Sequence, residues 1–65
     1  MGDELSMKTV KEFIVDNLRM ALIKVDKIEL YVVSVEEIGE PYYRCTEYPN
    51  YFSASAHFDT IVRGN

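Results

Sequence analysis

MKTVKEFIVDNLRMALIKV, residues 7–25, is the stretch whose reading decides the fold. At about 100° per residue, Met7, Val10, Ile14, Leu18, Ala21 and Val25 fall along one stripe flanked by Val15 and Leu22, the pattern of a helix resting one side on a core. No Gly or Pro interrupts the run. Ser6 stands where an N-cap is wanted, with Leu5 and Val10 as a hydrophobic staple, and Thr9 with Glu12 offers a competing capping box. Lys24 and Lys27 sit where a helix C-terminus favours cations. The stretch is therefore predicted to be an amphipathic helix over residues 7–25. Phe13 and Met20 lie off the main stripe with Asn17 between them, and this extra ridge is expected to be a self-association seam.

Outward from that run, residues 1–6 read as a flexible polar lead-in. Gly2 followed by Ser6 matches the loose N-myristoylation pattern, although Asp3 is a poor context for it, and Met7 serves equally well as a natural start. On the other side, Ile28, Leu30, Tyr31, Val32, Val33 and Val35 are dense in β-branched and aromatic residues, which predicts a strand over 27–37. Its apolar residues occupy both parities, as in a strand that is central or covered on both faces. EEIGEP, residues 36–41, supplies a turn, residues 42–48 a second strand, and Pro49 with Asn50 another turn.

Residues 51–63 carry two patterns. Phe52, Ala54, Ala56, Phe58 and Val62 share one parity against a polar set of Ser53, Ser55, His57 and Asp59, which is strand alternation. Phe58, Ile61 and Val62 also have helical spacing, with Ser53 as a cap and Gly64 as a stop. The alternation is preferred. The expected fold is α+β, an N-terminal amphipathic helix packed on a three-stranded antiparallel β-meander (αβββ), with the sheet over 27–63; the alternative is αββα with residues 53–63 helical.

With 65 residues the chain is read as a single small domain, 1–65. A domain of this size buries only about 60% of the surface its unfolded chain exposes, so it wants outside support. Cys45 and His57 are each alone of their kind, which removes an internal disulfide and a Cys/His zinc site. Self-association, as a dimer, or a larger partner is expected instead, and no metal or cofactor. The lone cysteine fits a reducing, cytoplasmic setting. The 48% apolar content argues against disorder, and no apolar run is long enough to span a bilayer as a helix.

Net charge is −4. Acids and bases cancel over residues 1–27, so the whole excess lies in residues 28–65, where Glu29, Glu36, Glu37, Glu40, Glu47 and Asp59 outnumber Arg44 and Arg63. No basic stripe suited to nucleic acid is present. Glu36, Glu37 and Glu40, joined by Tyr42, Arg44 and Tyr48, are the candidate partner-binding residues, because an acidic surface bearing rigid amphipathic tyrosines suits a basic protein. A charged turn is also what simple solvation produces.

His57 and Asp59 share a parity in the strand reading and Cys45 lies on the preceding strand, which sketches a nucleophile and base. A buried small cysteine and a solvated polar face explain the same residues, and no phosphate loop or oxyanion motif accompanies them. The expected function is a small non-enzymatic protein-protein interaction module, whether homodimer, antitoxin-like inhibitor or adaptor. The alternatives are a small dimeric enzyme or a ligand- or metal-binding protein using His57, Asp59 and Cys45, and a nucleic-acid mimic occupying a basic groove.

Overall fold

The computed structural model of the chain describes residues 6–41 and 43–64. Four strands, β1 (Met7–Val15), β2 (Leu18–Val25), β3 (Leu30–Glu37) and β4 (Tyr43–Tyr48), are followed by one helix, α1 (Tyr51–Arg63). The strands form a single antiparallel sheet in the order β1-β2-β3-β4, a simple meander. This overturns the expected N-terminal helix on a three-stranded sheet, and equally the αββα alternative at its N-terminal end. Residues 7–25 are a β-hairpin, the sheet spans residues 7–48, and the only long helical element among the described residues is α1.

Three local features make residues 7–25 a hairpin. Asp16 and Asn17 form a two-residue loop joining Val15 to its partner Leu18, and Asp16 adopts φ 56. Favoured two-residue hairpin loops need a positive φ at their first position, and Asp tolerates it better than most residues. Between Thr9 and Lys11 the register shifts by a bulge at Val10, which switches the inward parity of β1 partway along. Met7 and Thr9 therefore share a face with Glu12 and Ile14, and of these Met7 and Ile14, seven residues apart, also fall on the helical stripe. Finally, β2 lies between β1 and β3 and is apolar on both faces, so it shows no alternation either.

Register sorts the side chains into two faces. Beneath α1 run the cross-strand rows Lys11-Leu22-Val33-Thr46 and Phe13-Met20-Val35-Arg44, with Lys24-Tyr31-Tyr48 at one end and Val15-Leu18-Glu37 at the other. The core is here: Met20, Leu22, Val33, Ala54 and Phe58 are buried together, with Val15, Leu18, Tyr31, Val35, Tyr48, Ile61 and Val62 packed around them. The Phe13-Asn17-Met20 ridge does not exist as a helical surface. Met20 is 0% exposed in the core, Phe13 is 40% exposed on the edge strand, and Asn17 is in the hairpin loop.

The last segment takes the helical of its two patterns. Ala54, Phe58, Ile61 and Val62 make the inward stripe, while Phe52, apolar in the strand parity, is 83% exposed. The cap is Asn50 and not Ser53: the Asn50 side chain accepts a 2.8 Å hydrogen bond from the Ser53 backbone N–H. Pro49 precedes it. Lys11 ties the edge strand to the helix by donating to the Ser55 hydroxyl at 3.0 Å, with Asp59 at 3.8 Å and the rings of Tyr51 and Phe58 within cation-π reach at 5.7 and 5.8 Å.

Candidate functional site

Two surfaces have the shape and chemistry of binding sites, one on each face of the sheet. The first is the face opposite α1. Its rows are Met7-Val25-Leu30, Thr9-Ile23-Val32-Glu47, Glu12-Ala21-Ser34-Cys45 and Ile14-Arg19-Glu36-Tyr43. One end is apolar through Met7, Ile23, Leu30 and Val32, with Val25 beneath them at 5% exposure. No element among the described residues covers this face.

The middle of the face is dented because Ala21 and Ser34, neighbours across β2 and β3, are small and buried. The depression has a volume of about 310 Å³, and Glu12, Arg19, Glu36 and Tyr43 stand at its polar side. Arg19 donates to one Glu36 oxygen from Nη2 at 2.9 Å and from Nε at 3.2 Å, and its Nη1 lies 3.8 Å from Glu12. The hydrogen bond and charge of Glu36, with a smaller push from Glu12, hold the guanidinium above its ordinary value. Two carboxylates thus share one cation. Tyr43 is also held above its ordinary value of 10.0, by desolvation first and then by the charge and hydrogen bond of Cys45 and the charge of Glu36.

The second surface is a cleft of about 240 Å³ between α1 and the β3-β4 side of the sheet, lined by Val33, Val35, Arg44, Thr46, His57 and Ile61. Tyr48 Oη and His57 Nδ1 are 2.7 Å apart and their rings meet edge-on, which fixes the imidazole against β4.

The chain matches no family model, curated protein or solved structure.

The residues expected to bind a partner are divided between these surfaces. Glu36 faces the open side, whereas Glu37, Arg44 and Tyr48 belong to the helix side. Glu37 accepts a 3.3 Å bond from Asn17, and Glu40 is exposed in the turn around Gly39. Tyr42 lies outside the described residues. Consecutive residues of a strand point to opposite faces, so a cluster in sequence is not a cluster in space. His57, Asp59 and Cys45 are likewise not brought together. Cys45 is exposed on the open face, His57 packs on Tyr48, and Asp59 turns toward Lys11. Among the described residues no group of three or more His, Cys, Asp or Glu is placed to hold a metal ion, and no helix is long and apolar enough to cross a membrane.

Glu12, Arg19, Ala21 and Ser34, absent from the sequence-based candidates, owe their association to pairing of β1, β2 and β3. A hairpin reading of Asp16-Asn17 would have aligned Glu12 with Ala21 and exposed the signal.

Proposed function

We propose that the protein is a small non-enzymatic protein-protein interaction module that docks a basic partner on the sheet face left open by α1. The observation that carries this reading is the composition of that face: an apolar end joined to a dent beside Glu12 and Glu36. Three carboxylates (Glu12, Glu36 and Glu47) stand against the single guanidinium of Arg19 on these rows. Two copies set face to face would oppose like charge, whereas a partner with an apolar centre and a Lys/Arg rim would be complementary. A lysine or arginine entering the dent would give its two carboxylates, Glu12 and Glu36, a cation each alongside Arg19.

Affinity capture from the native host tests this with the wild-type chain and three variants. A partner held by the wild-type chain is expected to be lost on Ile23→Glu with Val32→Glu, weakened by Glu12→Lys with Glu36→Gln, and retained by Phe52→Ser on the far side of the molecule. A partner that survives the open-face substitutions refutes the assignment.

A second reading rests on β1. As an edge strand it leaves Met7, Val10, Phe13 and Ile14 at 67, 42, 40 and 53% exposure, and an exposed apolar edge is a template for pairing with another strand. A second copy paired along β1 makes sedimentation concentration-dependent; a folded monomer at all micromolar concentrations eliminates this arrangement.

A further inference from the structure

The cleft under α1 is chemically unlike the rest of this acidic chain. Its walls divide into an apolar set, Val33, Val35 and Ile61, and a polar set, Arg44, Thr46 and His57. Arg44 is exposed at the mouth and, among the described residues, makes no ion pair, although Arg19 across the sheet engages two carboxylates. The helix-side carboxylates are committed elsewhere, Glu37 to Asn17 at 3.3 Å and Asp59 toward Lys11 at 3.8 Å. The Tyr48 hydroxyl takes up His57 Nδ1 at 2.7 Å, so Nε2 is the ring nitrogen left for a ligand. When the tyrosine donates to Nδ1, Nε2 carries the proton and is a donor.

We propose that this cleft binds a small carboxylate with a compact apolar body, its anionic head held by Arg44, His57 and Thr46 and its body laid on Val33, Val35 and Ile61. Guanidinium, imidazole N–H and hydroxyl together present donors to a group that only accepts, and the planar guanidinium fork matches a carboxylate edge. At about 240 Å³ the cavity is smaller than the roughly 300–1,000 Å³ of drug-sized sites. A single ring or a short branched chain is the scale that fits. Ile61 belongs to the last turns of α1, whose carbonyl end disfavours an anion, and Arg63 in that turn offsets it. The site is on the opposite side of the sheet from the proposed docking face and stands independently of it.

The test is a titration of the full chain with benzoate, followed by the backbone amide shifts in a ¹H-¹⁵N spectrum. Saturable shifts are expected over residues 33–35, 44–46 and 57–61, with benzyl alcohol, the neutral analogue, binding about tenfold more weakly because it lacks the charge-assisted bonds. Arg44→Gln is expected to reduce benzoate affinity about tenfold and leave benzyl alcohol unchanged. Arg44→Lys keeps the charge but loses the fork and is expected to fall between. Arg63→Gln is expected to change affinity by less than about twofold. Each spectrum also reports whether the variant is folded. Shifts that stay linear in benzoate, equal affinity for the alcohol, or undiminished binding by folded Arg44→Gln would overturn the site.

Discussion

Met20 is the residue on which a hairpin and a helix over residues 7–25 differ most. A helix would set its side chain on an outlying ridge beside Phe13, where truncation removes little buried surface. In the sheet it is 0% exposed, paired across β1 and β3 with Phe13 and Val35, and part of the cluster with Leu22, Val33, Ala54 and Phe58. Met20→Ala removes three heavy atoms, each worth about 0.8 kcal/mol of burial if counted as a methylene, or about 2.4 kcal/mol in all. A cavity then remains, since the sheet backbone cannot collapse fully into it, and the total rises to about 3 kcal/mol. A 65-residue domain has only about 3–10 kcal/mol of stability at about 0.05–0.15 kcal/mol per residue. The substitution thus threatens folding itself. Urea denaturation followed by circular dichroism measures the effect, with Phe13→Ala as the comparison. Phe13 keeps 40% of its surface in water, so its larger side chain is expected to cost less, about 1–2 kcal/mol. A Met20→Ala cost below about 1 kcal/mol, or one smaller than that of Phe13→Ala, would refute this packing.

Asn50→Ala removes the acceptor for Ser53 N–H and is expected to cost about 1 kcal/mol, while Asn50→Asp retains the cap and stays within a few tenths of wild type; the same denaturation curves check both. For Tyr43, an absorbance titration at the phenolate band is expected to show a midpoint above the ordinary 10.0, and Cys45→Ser moves it downward by removing the second-largest cause. Because the folded-state value is raised, the associated stabilisation is complete below the ordinary value and is lost as pH rises through the folded one. A midpoint at or below that of free tyrosine would contradict this environment.

Some of this molecule is legible from residue order because the signal is local. β3 falls within the strand expected over 27–37, since crowded Val, Ile and Tyr residues disfavour a helix through their own χ1 restrictions. Gly39, at φ 88, occupies the expected turn, where a left-handed backbone suits glycine. Asn50 caps α1 immediately after Pro49, in a turn that was also apparent.

The N-terminal half was not legible for equally specific reasons. Met20, Ala21, Leu22 and Lys24 have good helix propensity, and the bulge at Val10 removes the one regularity that would have marked β1. Asp16-Asn17 was the available turn signal, but it lacks the glycine that makes such loops conspicuous. In residues 51–63 the strand alternation and the helical spacing both fitted, and docking decided between them. A helix buries Ala54, Phe58, Ile61 and Val62 against the sheet, and among the described residues no fifth strand is paired at the β4 edge.

The candidate sites depended on that choice. With residues 51–63 helical, His57 turns onto Tyr48 and joins Arg44 in the cleft, instead of sharing a strand face with Asp59 beside Cys45. Composition, net acidity, β3 and the turns at Gly39 and at Pro49-Asn50 were determined by the sequence itself, because each rests on local backbone preference or on simple charge. The hairpin, the side of the sheet that α1 covers and the company each polar residue keeps were decided by tertiary structure. They depend on strand pairing and core burial between residues far apart in the chain, and no window of sequence contains both partners.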